Sequence, residues 1–250
     1  MDLGLTGKTA IVTGASRGLG KTIAEMLAAE GANVALLARK APQQVADAIA
    51  TEYGVKTVAI ATDISDENAV LAAFDKTEQE IGPVDVLVNN AAYCPVEPTP
   101  ETPVSEFNQA LQTNMLGTFL MCRDMARRLI AGERHGKIVN ISSQAAFRGS
   151  QSGKTAYDST KMGIIGFTIS LAREMAKYGF NINCVAPGLI YTEMIAEYVD
   201  ADPDKFNKRV PLRRLGTTEE IGGVVVFLCS DRASYMTGST VDVSAGLAMH

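Results

Sequence analysis

Thr9-Ala-Ile-Val-Thr-Gly-Ala-Ser-Arg-Gly-Leu-Gly20 is the stretch on which the fold turns. Thr9–Thr13 is a short run of apolar and β-branched residues, the pattern of a strand buried on both faces. Gly14 closes it. From Arg17 to Ala29 the pattern changes period, with Ile23, Ala24 and Leu27 sharing one helical face. Glycines at 14, 18 and 20 allow a tight turn and close backbone approach to a ligand. The N-terminus of the following helix offers free N–H groups and partial positive charge. Strand, glycine turn and helix in that order predict a phosphate-binding βα turn; the alternative is a plain strand–helix connection.

Outward from this turn the same alternation repeats. Strands are expected at Asn33–Ala38, Lys56–Thr62, Val84–Val88, Lys137–Ser142, Asn181–Ala186 and Thr240–Val243. Helices are expected at 42–53, 66–81, 105–131, 157–178 and 218–230. Apolar strands joined through helices imply an α/β fold with right-handed crossovers. The expectation is a single doubly wound Rossmann domain over 1–250, with a parallel sheet of about seven strands and helices on both faces. Residues 189–211, with Asp200-Ala-Asp-Pro-Asp204, are irregular. They read as a substrate lid, the alternative being a surface helix pair.

Composition narrows the class. The chain has 250 residues, 46% of them hydrophobic and 20% charged, which excludes disorder for most of its length. Lys and Arg number 23 against 28 Asp and Glu, a net charge of −5. That balance disfavours nonspecific binding to nucleic acid or an anionic membrane. Cys94, Cys122, Cys184 and Cys229 form no CxxC pair and read as reduced thiols of a cytoplasmic protein. His135 and His250 suggest no metal site. The N-terminus lacks a basic region followed by an apolar stretch, so no signal peptide is expected. No run of about 18 apolar residues occurs, so no membrane span is expected.

The turn is spaced G-x-x-x-G-x-G, and here the sequence resembles the short-chain dehydrogenase/reductase family. Asn89-Asn90-Ala91-Ala92, Tyr157-x-x-x-Lys161 and Pro187-Gly188 with Thr192 follow in the family's order. Ala92 and Ala245 stand where relatives carry Gly. The resemblance implies cofactor contacts from Gly14, Ser16, Arg17, Gly18, Leu19 and Gly20 in the turn. It adds Asp63 and Ile64 after the third strand, and Asn90 and Ala91 after the fourth. At the nicotinamide end it adds Tyr157, Lys161, Pro187, Gly188, Ile190 and Thr192. Asp63 would contact adenine; capping the next helix is its alternative, although Ser65 and Asp66 can do that too.

The second strand ends Leu37-Ala38-Arg39-Lys40, without the acid that would bind a ribose 2′-hydroxyl. Arg39 can pair with a 2′-phosphate through its planar fork, with Arg17 as a second guanidinium. NADP(H) is therefore the expected cofactor; a merely solvated Arg39 is the alternative.

Tyr157 and Lys161 lie four apart on one helix face. The resemblance makes Tyr157 the proton donor, with Lys161 expected to orient the ribose and lower the phenol pKa. Ser143 would bind the substrate oxygen, Ser142 being the neighbouring candidate. Asn114 would support Lys161 through water. Ser143 to Tyr157 is one residue longer than the family pattern, which implies an inserted residue in that loop. The expected reaction is reduction of a ketone to a secondary alcohol. Alternatives are 3-oxoacyl-thioester reduction, NAD-linked alcohol oxidation, and a noncatalytic partner subunit of the same fold.

Cys94, Gln144, Phe147, Gln151, Tyr191 and Met194 are the expected substrate contacts, with Tyr93, Pro95, Val96 and Ile195 nearby. This largely apolar lining favours an uncharged ketone. The resemblance extends to the 3-oxoacyl-thioester reductase branch through Pro211-Leu-Arg-Arg-Leu-Gly216 and Thr237-Gly238. An acidic carrier protein would need exposed cations, for which Arg127, Arg128, Arg134, Arg173 and Lys177 are candidates. By the same analogy the 105–131 and 157–178 helices would pack against a second copy, giving a homotetramer or homodimer.

Overall fold

Short apolar runs alternate with amphipathic segments, and in the computed structural model of this chain they become seven parallel strands interleaved with helices. Described are all residues except Met1, Met194, Ile195 and His250, and except the side chains of Glu197 and Tyr198. The strands are β1 (Thr9–Thr13), β2 (Asn33–Ala38), β3 (Thr57–Ala61), β4 (Val86–Asn89), β5 (Lys137–Ile141), β6 (Asn181–Pro187) and β7 (Thr240–Val243). Their order is β3-β2-β1-β4-β5-β6-β7, parallel throughout. This is the expected doubly wound Rossmann sheet.

Period-two alternation divides each central strand between two cores. Ala10 and Val12 of β1, with Val34 and Leu36 of β2, face one cluster. Helices α1 (Gly18–Ala29) and α10 (Thr218–Cys229) cover it. Ile11, Ala35 and Leu37 face the other. There they meet α3 (Glu67–Glu80), α5 (Gly117–Ala131) and α7 (Thr155–Met175). α2 (Gln43–Tyr53) joins β2 to β3.

The helix expected at 105–131 is not uniform. It runs as α4 (Val104–Ala110), a π turn at Leu111–Leu116, and α5. The wider turn places Asn114 in full burial. Gly117 opens α5 where an added Cβ would lie 2.7 Å from Ile64 Cγ1, so a side chain there would have to displace Ile64. The expected 157–178 helix starts at Thr155 and ends in a 3₁₀ turn at Ala176–Tyr178. A short helix, α6 (Ala145–Arg148), lies between β5 and α7. Within 189–211 the chain forms two short helices, α8 (Ala196–Ala201) and α9 (Pro203–Asn207). Ala245, where the sequence departs from the family's Gly, sits at φ 55. Among the described residues no helix is long and apolar enough to cross a membrane.

Candidate active site

Strand order reverses between β1 and β4, because β1 leads outward to β2 on one side while β4 leads to β5 on the other. Such a switch point opens a crevice at the carboxyl ends of the strands. A cleft of about 720 Å³ lies there. From the turn after β1, Gly14, Ser16, Arg17, Gly18, Leu19 and Gly20 border it. Arg39 follows β2, and Asp63 and Ile64 follow β3. Asn90 and Ala91 follow β4, Ser143 follows β5, and Tyr157 and Lys161 come from α7. Pro187, Gly188, Ile190 and Thr192 complete the wall. Asn114 lies behind that wall.

One end of the cleft is built for phosphate. An added Cβ on Gly20 would stand 2.3 Å from Gly14 O, and one on Gly14 2.9 Å from Ala91 Cα. The turn is therefore packed to backbone contact. Asn90 locks it, donating from Nδ2 to Thr13 O at 3.0 Å, while Thr13 Oγ1 accepts from both Asn90 N and Ala91 N. The first turn of α1 has no side-chain cap and no acidic residue, so its N–H groups remain available to an anion. Among the described residues Arg17 and Arg39 take part in no ion pair. An uncapped helix N-terminus flanked by two guanidiniums suits a phosphorylated dinucleotide. Asp63 does not cap α3; Asp66 does, accepting from Asn68 N and Ala69 N. Asp63 instead accepts from Ser65 N and Oγ, and these bonds, helped by Arg39, hold its carboxyl below the usual range.

The other end holds the acid–base groups. Ser142 is buried and spends its hydroxyl on Lys161 O at 2.7 Å. Ser143 borders the cleft and bonds the Tyr157 side chain. Lys161 Nζ lies 5.4 Å from the Tyr157 ring centre and donates to Ile141 O at 2.7 Å. The expected lowering of the phenol pKa is not what the surroundings produce. Burial raises the Tyr157 pKa well above its ordinary value, with the Ser143 bond opposing. Burial likewise lowers Lys161 to about 8.

The expected substrate residues do not converge on this cleft. Cys94 lines an adjoining surface groove with Tyr93, Glu97, Glu101 and Glu106. Gln144 contributes a backbone N–H to Pro187 O, and Phe147 packs beside Ile164 and Ile165. Gln151 is exposed. Tyr191 is exposed and donates its hydroxyl to Asp200. Met194 lies outside the described residues. Gln109, Gln112 and Thr113 border the cleft without having been anticipated. Polar residues three apart on a helix resemble a solvated face, and Gln109 and Gln112 are indeed exposed; only the path of the α4–π segment brings that face to the edge of the cleft.

A family model described as enoyl-(acyl carrier protein) reductase matches residues 14–248. The 3-oxoacyl-[acyl-carrier-protein] reductase of Aquifex aeolicus is 38% identical over 249 residues, covering 99% of this chain and 100% of that protein. The enzyme of that name from Escherichia coli is 37% identical over 243 residues, covering 97% and 98%. Among solved structures, L-sorbose reductase from Gluconobacter frateurii complexed with NADPH and L-sorbose shares the fold with a TM-score of 0.93 at 28% identity, covering 100% of both chains.

Proposed function

Because the chain belongs to the short-chain dehydrogenase/reductase family, in its 3-oxoacyl-[acyl-carrier-protein] reductase-like branch, we propose that it is an NADPH-dependent reductase of ketones. The observation that carries this reading is one cleft bearing Ser143, Tyr157 and Lys161 at one end and Arg17 and Arg39 at the other. The relatives support the cofactor, since the L-sorbose reductase was solved with NADPH.

Arg17, Arg39 and the α1 N-terminus would hold the phosphates, and Pro187, Gly188, Ile190 and Thr192 the nicotinamide end. When bound, the nicotinamide supplies the hydride to the carbonyl carbon. Ser143 holds the carbonyl oxygen, and Tyr157 gives that oxygen its proton. The phenol is protonated at neutral pH and so has a proton to give; burial makes it a weaker acid, so a neighbouring cation is needed to favour the phenolate. Lys161 then faces the phenolate that remains, one helical turn away. A noncatalytic subunit is disfavoured by the complete Ser/Tyr/Lys set, and NAD(H) use by the absence of an acid at the end of β2.

A 3-oxoacyl thioester is the second reading, favoured by the named function of the relatives. Two features favour a simpler, uncharged ketone. Of the five candidate cations, Arg128 is already engaged by Asp75, Glu78 and Asp124, and Arg134 by Asp85, while Arg127, Arg173 and Lys177 take part in no ion pair among the described residues. The groove beside Cys94 carries three carboxylates, which would repel the phosphate of an acyl-thioester arm. We further propose a reducing cytoplasmic setting, consistent with four free thiols, and a lid role for 189–211 beside Ile190 and Thr192.

The test is NADPH oxidation across ketones and 3-oxoacyl thioesters with three proteins. Tyr157→Phe should lose at least about 100-fold in kcat while still binding NADPH. Arg39→Ala should weaken NADPH by roughly ten-fold or more and leave NADH unchanged. Wild-type turnover in Tyr157→Phe overturns the proposed chemistry; unchanged NADPH affinity in Arg39→Ala overturns the cofactor assignment.

A further inference from the structure

We propose that Thr160 is a positioning residue for Tyr157, joining the loop after β4 to the turn that carries the phenol. The inference rests on Tyr157 being the proton donor. Asn114, fully buried in the π turn, has all its side-chain groups engaged. Its Oδ1 accepts from Tyr93 N at 2.7 Å, and its Nδ2 donates to Tyr93 O and to Thr160 Oγ1, each at 2.9 Å. Thr160 Oγ1, also buried, donates its one proton to Tyr157 O at 2.7 Å. A threonine that only back-bonds within its own helix would end the chain there. This hydroxyl is an acceptor for one element and a donor to another, so three segments of backbone are tied through two side chains.

The tie falls in the first turn of the helix. Tyr157 is the third residue of α7, and the cap position, Lys154, supplies no side-chain bond to the first turn. Such a turn frays unless something else holds it. At the far end of the chain, the Tyr93 hydroxyl donates to Glu106 of α4, and Tyr93 borders both the cleft and the adjoining groove. A displacement of the groove wall is thereby passed to the phenol, and Thr160 is the link that passes it.

Three substitutions of Thr160 test this, measured beside Tyr157→Phe. Thr160→Val keeps the volume and removes the hydroxyl. It should lower kcat about ten-fold, with NADPH affinity, read by nicotinamide fluorescence, changed less than about two-fold. Thr160→Ser should restore kcat to within about two-fold, because it keeps the donor and acceptor. Wild-type kcat in Thr160→Val overturns the inference, as does a loss shared equally by kcat and cofactor affinity that serine fails to rescue. Should Thr160→Val not fold, Thr160→Cys takes its place, since a thiol donates and accepts weakly; wild-type kcat there is equally fatal. An active Tyr157→Phe would instead overturn the reading of the site, whereas an inactive Tyr157→Phe with an unaffected Thr160→Val overturns only the role of Thr160.

Discussion

At Lys161 an ammonium is fully buried with one backbone carbonyl as its hydrogen-bond acceptor. Burial disfavours the charged form, so the folded pKa is about 8 against the ordinary 10.5. Between those values the unfolded chain binds the proton more tightly than the folded one. The cost of holding the charge is therefore fully present below about pH 8 and relieved as pH rises toward 10.5. Lys161→Met should raise Tm at pH 7, and that gain over wild type should shrink by pH 10, while turnover is lost at both. A lower Tm in the variant at pH 7 would show that the carbonyl bond outweighs desolvation. In wild type, kcat should decline as pH passes about 8 and Lys161 discharges. Ala245 has a strained backbone, at φ 55. The left-handed region costs a non-glycine about 1–2 kcal/mol, against about 0.5–1 kcal/mol of extra unfolded-state freedom for glycine. Ala245→Gly should stabilise the fold by about 0.5–1 kcal/mol in a denaturant titration.

At the scale of elements, the loop after β4 and the loop before α7 are stitched together over the groove. Glu97 N donates to Gly153 O at 2.8 Å, and Thr99 and Thr155 hydroxyls meet at 2.8 Å. Gly153 has φ 68, and an added Cβ would come within 2.6 Å of Glu97 C. Gly153→Ala should separate the loops, lowering stability by at least about 1–2 kcal/mol and raising KM for the ketone several-fold. NADPH affinity should hold, because the glycine turn lies elsewhere on the cleft. An unchanged KM would mean that these loops do not shape the substrate site. The π turn shows what a sequence pattern conceals at this scale. Apolar spacing identified one helix over 105–131, but spacing cannot reveal a single wide turn, within which Asn114 bonds to Tyr93 and Thr160.

For the whole molecule, the face formed by α4, the π turn, α5 and α7 leaves Phe107, Leu111, Phe119, Met162 and Ile169 exposed. A second copy of the chain is the proposed cover for these side chains. Light scattering at micromolar concentration should give the mass of a dimer or tetramer, and Ile169→Glu should reduce it. A monomeric wild type would remove the proposal. The net charge of −5 bears on solubility and not on this contact, which is apolar.

The sequence by itself determined the architecture and the chemical inventory. Strand and helix periods are local, and so are the glycine turn, the missing acid after β2 and the Tyr157–Lys161 spacing; each is written within a few residues. What only the tertiary structure decided is long-range. Ser142 and Ser143 both border the cleft, and it is Ser143 that bonds the Tyr157 side chain while the Ser142 hydroxyl is spent on Lys161 O. The phenol pKa rises because the folded chain desolvates it, which no spacing records. Gln109 and Gln112 face the cleft because α4 is led past it, and Arg128 is unavailable because three carboxylates from two helices surround it. Periodicity is set along the chain, whereas burial and partnership are set by what the chain brings back from far away.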